Sequence, residues 1–263
     1  MSVSSEVVTR VARARWDDHR FMGHGALSEL LGSETFLGLT VIAAADGRRP
    51  SPQERELLDA LAVSMAAADP RIWPLKITRL VAAYGGTIAG FVAGQLCTEC
   101  DAIGPWVTGP AAELLQSVRD AGGREDASDD EFRSAVTRWL ETHRRLSGYG
   151  VAFRAHDERF VALGAHVARV GRAALPFWRL QERLSAVLWQ ERGLRPNIAL
   201  GAAALLLDMG FTAAQAQAIT NLANVNTFYA NALEGARDRS VVLRALPVKS
   251  VRYVGKAPRQ VPK

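Results

Sequence analysis

The chain of 263 residues is short of cysteine, with only two. Two cysteines build no disulfide framework, so the fold must rest on a packed core. No apolar run reaches the ~20 residues that a helix needs to cross a bilayer. The N-terminus is rich in Ser, Val and Arg and lacks an apolar stretch, so no signal peptide is expected. Low-complexity tracts are also missing. These absences lead to the expectation of a globular, cytoplasmic protein without membrane segments. A composition of 48% hydrophobic and 22% charged residues fits that class. The length suffices for one full core, arranged as a single unit or as a large and a small lobe.

Acidic residues are scarce at one end. Residues 237–263 hold eight Lys/Arg and one Asp, a net of +7 against a formal +5 for the whole chain, so residues 1–236 carry −2. The basicity belongs to a C-terminal tail and not to a domain face. A nucleic-acid partner is therefore not expected. An acidic cofactor such as CoA, or an acidic groove on a partner subunit, fits the tail as well.

Strand-type alternation is nearly absent, with Val251 to Val254 the one candidate. Helix signals take its place, and the chain is predicted to be all-α. Residues 1–20, polar and basic around Trp16, read as an arm or a first short helix. Ser33 is a candidate N-cap for Glu34 to Ala45. Ser51-Pro52-Gln53-Glu54 combines Ser at N-cap, Pro at N1 and Glu at N3, and opens a helix with Leu57, Leu58, Leu61 and Met65 on one face. Leu75 to Cys97 reads as one helical region. Gly86, Gly90 and Gly94 recur in it at four-residue spacing, and each costs ~1 kcal/mol inside a helix. Such a stripe lets another backbone approach, either within the chain or across the two-fold of a homodimer. Residues 119–130 form a solvated loop. Ser128 with Glu131 then opens a helix to Leu146, and Val161–Leu175 and Leu180–Glu191 follow around Pro176.

Cys97-Thr98-Glu99-Cys100 is a lone C-x-x-C. Structural zinc needs four ligands and thiol redox chemistry a βαβ context, and neither is visible. Buried or incidental thiols are expected, and no metal.

Arg195 to Gly235 is the most informative stretch. Asn197 to Met209 is almost wholly apolar and reads as a helix buried on all sides. Gly210 ends it, and Thr212 with Gln215 opens the next helix through a capping box. Asn221, Asn224, Asn226 and Asn231 then interrupt an apolar helical run. Buried amides need partners, so this cluster is expected to line a polar pocket.

Asn197-Ile198 before an apolar helix, a glycine turn and a second helix resembles the C-terminal segment of the citrate synthase superfamily. The nearest likeness is to the short citryl-CoA lyase-like members and to the citryl-CoA lyase module of ATP-citrate lyase. Gly47-Arg48-Arg49-Pro50-Ser51-Pro52-Gln53-Glu54 matches the family's opening turn independently, and the tail around Tyr253-Val254-Gly255-Lys256 is similar too. The resemblance implies a multi-helical citrate synthase-like fold over residues 1–263. A small lobe near 125–190 would be inserted between large-lobe segments. It also implies a homodimer, a CoA thioester as cofactor, and C–C bond or acyl-transfer chemistry.

The same resemblance locates three reactive positions, and each is altered. In Gly104-Pro105-Trp106-Val107-Thr108-Gly109, Val107 stands at a histidine position. In Gly148-Tyr149-Gly150-Val151, Val151 replaces the histidine that acts on the keto oxygen. Ala199 occupies the place of the family's catalytic aspartate. Asn224 lies near the position of a carboxylate-binding arginine, and Asn231 sits where a histidine is common. The Ala68-Asp69-Pro70 loop lacks the histidine-glycine of the lyases. The candidate pocket then comprises Thr108, Tyr149, Phe153, Arg154, His156, Asn197, Asn224, Asn226, Tyr229 and Asn231. Three functions follow: a divergent enzyme of acyl-transfer or condensation type, a non-catalytic partner of a ligand or of a catalytic homologue, or the family reaction run with other residues.

Overall fold

A computed structural model describes residues 7–66, 68–99, 107–151, 155–238, 252, 254 and 255. The all-α expectation holds: eleven α-helices make up most of the described chain. One small exception lies at the start. Residues expected as an arm or short helix form a three-stranded antiparallel meander of β1 (Ala12–Arg13), β2 (Arg20–Phe21) and β3 (His24–Gly25). Two-residue strands are too short to show alternation in sequence. A π-turn over Ala26–Leu30 joins the meander to the helices.

α1 (Phe36–Ala44) is capped by Thr35 and not by Ser33, whose hydroxyl instead donates to the Glu29 carbonyl. α2 (Pro52–Met65) starts with the expected Ser51/Glu54 capping box. The expected single helix from Leu75 to Cys97 is two: α3 (Trp73–Gly85) and α4 (Thr87–Leu96). Gly86 separates them at φ 86°, a left-handed conformation that costs glycine little and ends α3. The other two glycines of the stripe face inward. A Cβ on Gly90 would lie 2.5 Å from the Thr78 carbonyl oxygen, and one on Gly94 would lie 2.8 Å from a Phe228 ring carbon. The stripe therefore joins α4 to α3 and to α11 (Val225–Asp238) within one chain. It is not free to meet a partner copy.

α5 (Thr108–Asp120), α6 (Asp129–Thr142), α7 (Glu158–Arg169) and α8 (Pro176–Arg192) follow. α6 opens on the Ser128/Glu131 capping box but stops at Thr142, short of Leu146. α7 begins earlier than expected because Asp157 caps it. α9 (Ile198–Asp208) is the central helix, with ten consecutive residues from Ile198 to Leu207 buried. Its leucines contribute roughly 1.5–3 kcal/mol each by burial. α5, α7 and α8 pack on α9, and α10 (Ala213–Ala223) packs on α5, α9 and α1. The Thr212/Gln215 capping box opens α10 as expected. Among the described residues no helix is long and apolar enough to cross a membrane. Val251 and Tyr253 of the candidate strand at Val251–Val254 lie outside the described residues.

Candidate functional site

Asn197 organises the start of α9. Its Oδ1 accepts from the Ala199 amide at 3.0 Å, a helix N-cap, while its Nδ2 donates to the Gly150 carbonyl at 2.9 Å. The Asn197 amide donates to the Gly148 carbonyl, and the Gly150 amide to the Arg195 carbonyl, both at 2.9 Å. Tyr149 and Pro196 form a single antiparallel bridge between these bonds. The Gly-Tyr-Gly turn is thus zipped to the approach to α9. Both glycines have φ 87°, which a side chain would strain.

Gly148 also ties in α5. A Cβ there would lie 2.9 Å from Leu200 Cβ and 3.2 Å from Ala111 Cβ. Ala111 is one turn along α5 from Val107, Leu200 follows Ala199, and Val151 follows Gly150. One junction therefore gathers the start of α5, the 148–151 turn and the first turn of α9. Val107 and Val151 are half-buried there and Ala199 is buried. None of the three carries a proton donor or acceptor.

A carboxylate does reach this junction, from a position that sequence reasoning passed over. Asp157 is only 1% exposed. Its Oδ2 accepts from the Ile198 amide at 2.9 Å and from Arg159 Nη2 at 2.7 Å. Its Oδ1 accepts from Arg159 Nε at 2.8 Å and the Arg159 amide at 3.1 Å. Burial pushes this carboxyl up, but the Arg159 guanidinium and the Ile198 amide outweigh burial and hold it below its ordinary value. Asp157 is a fully bonded anion and a poor base. The sequence signal was present as Asp-x-Arg at a helix start, but its partner Ile198 is 41 residues away.

Tyr149 places its hydroxyl 3.2 Å from Ser185 Oγ on α8. Burial pushes the phenol well above its usual range, so it stays neutral. Thr108, the first residue of α5, is fully buried and its hydroxyl has no hydrogen-bond partner among the described residues. The next amide, Gly109, donates to Gln217 Oε1 at 2.8 Å. His156 is exposed on the loop before α7. Phe153 and Arg154 lie outside the described residues.

The asparagine cluster is placed differently. Asn224 Nδ2 donates to the Thr220 carbonyl at 2.9 Å and lies 3.3 Å from the Met65 sulfur. Asn231 Nδ2 donates to the Thr227 carbonyl at 2.9 Å, and its Oδ1 accepts from Arg79 at 3.3 Å. These amides are satisfied by their own helices and by α2 and α3, which is why an apolar run tolerates them. Asn226 is exposed, and Tyr229 packs edge-on to Phe91 at 5.8 Å. Among the described residues Asn224, Asn226, Tyr229 and Asn231 make no bond to the junction at Asn197, whereas Asn221 Oδ1 accepts at 2.7 Å from Gln217 Nε2, and the same Gln217 accepts the Gly109 amide at the start of α5.

Cys97 sits in a 3-10 turn after α4, and Cys100 lies outside the described residues. Among the described residues no cluster of His, Cys, Asp or Glu could hold a metal ion. An open groove of about 680 Å³ between the 122–127 loop and α6 shares no residue with the junction. It sets Asp126, Asp130 and Glu131 beside Arg124 and Arg138, a surface of mixed charge.

Solved structures share the fold that carries this junction. Citryl-CoA lyase from Hydrogenobacter thermophilus superposes with a TM-score of 0.78 at 21% identity, covering 97% of each chain. The fold is that of the citrate synthases and citryl-CoA lyases. ATP citrate lyase from Methanothrix soehngenii, solved with citrate and coenzyme A, matches 98% of this chain over 43% of its own length (TM-score 0.71, 12% identity). Citrate synthase from Thermotoga maritima matches 82% of this chain and 57% of its own (TM-score 0.63, 18% identity). No family model matches the sequence, and no curated protein does. The citrate synthase-like fold thus persists at identities where sequence comparison fails.

Proposed function

We propose that this chain is a divergent citrate synthase-like protein that binds a carboxylate- or CoA thioester-bearing ligand without catalysing the enol chemistry of its relatives. The observation that carries the reading is the junction at Asn197. Its nearest carboxylate, Asp157, has all its hydrogen bonds committed, while Val107, Val151 and Ala199 offer no group to move a proton. Positioned acids and bases each contribute about 10²–10⁴-fold, so loss of two leaves turnover negligible. Arg159 supports ligand binding: Nε and Nη2 hold Asp157, which leaves Nη1 for an anion. Similar proteins were solved with citrate and coenzyme A or with citryl-CoA, which favours the same ligand class here.

A homodimer accompanies this reading. On α4 the side opposite the buried glycines is open, with Ile88 64%, Val92 48% and Leu96 69% exposed. An uncharged helical face of this kind suits a two-fold contact.

The test measures thiol release from citryl-CoA, and from acetyl-CoA with oxaloacetate, alongside calorimetric binding of CoA and citrate. Binding without turnover is expected, and turnover is expected to rise in the Ala199→Asp, Val151→His double variant. Robust turnover by the unmodified chain, or no binding of any of these ligands, would overturn the proposal. A catalytic homologue that gains activity on mixing would mark the chain as a partner subunit.

A further inference from the structure

The groove between the 122–127 loop and α6 is braced by one side chain. Arg183 on α8 donates from Nη1 to the carbonyls of Arg124 at 3.2 Å, Glu125 at 3.1 Å and Ala127 at 2.7 Å, and from Nη2 to Asp129 at 2.8 Å. Its guanidinium also lies 4.3 Å from the centre of the Phe132 ring. The loop is thus stapled to the first turn of α6, and the groove is pre-organised. Gly122 and Ala135 are the small residues of its lining, and a Cβ on Gly122 would lie 3.9 Å from Ala135 Cβ. The charges on the walls fall into two sets. Arg124 pairs with Asp126 at 3.3 Å, and Glu131 is committed to the Ser128 cap. Asp130, Ser134 and Arg138 make no hydrogen bond or ion pair through their side chains among the described residues. They stand four residues apart, so they line one face of α6 as acid, hydroxyl and base. From Asp130 to Arg138 the helix rises about 12 Å.

We infer that this groove binds a small zwitterion of tripeptide length, with its cationic end at Asp130 and its carboxylate at Arg138. Charge decides the class. A polyanion would set its charges against Asp126 and Asp130, and a polycation would meet Arg124 and Arg138. A ligand with one charge of each sign pairs both uncommitted groups, and a guanidinium fork suits a carboxylate. Span decides the length. Three extended residues reach roughly 10 Å, and the Asp130 and Arg138 side chains lean inward to close the remainder. The volume of about 680 Å³ lies within the range of small-molecule sites. Ser134 stands between the two ends, where its hydroxyl meets a peptide N–H or C=O. The groove shares no residue with the junction at Asn197, so the inference stands apart from the reading of that site.

Amide NMR spectra of the full chain, titrated with triglycine to tens of millimolar, test the inference. Saturable shifts centred on residues 122–138 are expected. Blocking both charges, as in N-acetyl-triglycine amide, should remove them, and glycine alone, too short to reach both ends, should not saturate. Asp130→Asn and Arg138→Gln should each weaken binding about fivefold, the upper value for a surface ion pair. Ser134→Tyr, which fills the groove and keeps both charges, should abolish it. All three positions are exposed, so the variants leave the core untouched. Equal shifts from the blocked peptide or from sodium chloride, or unchanged affinity in both charge variants, overturn the proposal. Absence of saturation with triglycine also overturns it, and a helical peptide with Lys and Glu at matching spacing that binds instead would mark the groove as a protein-docking surface.

Discussion

The two ends of α9 pose the same problem and solve it differently. At the N-terminal end, Asp157 accepts the Ile198 amide at 2.9 Å. At the C-terminal end, α9's own Asp208 accepts the Phe177 and Trp178 amides that open α8, both at 2.8 Å. Each is a carboxylate at a helix N-terminus, where backbone N–H groups and the helix dipole favour an anion. Their titrations are shifted in opposite directions. Asp157 is held below its ordinary value, whereas burial pushes Asp208 up to about 6 despite its two amide bonds. The difference is Arg159, which grips Asp157 with Nε and Nη2. Arg119 and Arg172 act on Asp208 only through space. A bidentate guanidinium, more than the helix end, decides in which direction each carboxylate is shifted.

The largest effect should come from removing the bonded anion. Asp157→Ala strips the cap from α7, the acceptor from α9 and the partner from Arg159. Breaking a buried pair costs about 3–5 kcal/mol. For a chain of this size that is a fall of roughly 10 °C in thermal midpoint. Arg159→Leu should cost a similar amount and should raise the Asp157 carboxyl, visible by NMR titration. A midpoint within about 2 °C of the unmodified chain in both variants would dissolve the comparison.

The second prediction uses pH. Asp157 has a depressed folded value, so its contribution is present above the ordinary carboxylate range and is lost as pH falls through the folded value. Asp208 has a folded value near 6 against an ordinary 3.8, so its sign is opposite. Its contribution is full below pH ~4 and is lost as pH rises through 6. Asp208 is partly exposed, so solvent screening limits the change to ~2 kcal/mol. Asp208→Asn removes this titration. The stability difference between the variant and the unmodified chain should shift in the variant's favour between pH 4 and 7, measured by urea unfolding. A difference independent of pH would show that Asp208 does not titrate there.

What was legible in the sequence was local. The capping boxes at Ser51, Ser128 and Thr212 lie within four consecutive residues, and all three open helices where expected. Gly90 correctly signalled close backbone approach, but spacing cannot say which backbone, and the answer is α3; Gly94 instead makes room for the Thr78 and Phe228 side chains. The family likeness gave the fold. It did not give the Asp157–Ile198 bond, which joins segments distant in sequence. The asparagines misled for a physical reason: an amide four residues after a carbonyl on the same helix can bond it, as Asn224 does to Thr220 and Asn231 to Thr227. A polar residue in an apolar run therefore need not mark a pocket.

The smallest expected effect lies between the two ends of α9, on the facing helix. Gln181 sits on α8 between the amides that bind Asp208 and Ser185, which meets Tyr149. It is fully buried, and neither its amide oxygen nor its nitrogen has a hydrogen-bond partner among the described contacts. An unpaired buried amide costs about 1–3 kcal/mol, whereas methionine fills nearly the same length without a polar group. Gln181→Met should therefore be neutral or raise stability by ~1 kcal/mol, read as the urea midpoint at constant m-value. Asp157 and Asp208 show that this core accepts polar groups when backbone amides meet them, and Gln181 is the case where none does. A loss of more than ~1 kcal/mol in Gln181→Met would mean that the amide is bonded in solution, with an ordered water the natural partner. The rule drawn from the two carboxylates would then extend to it.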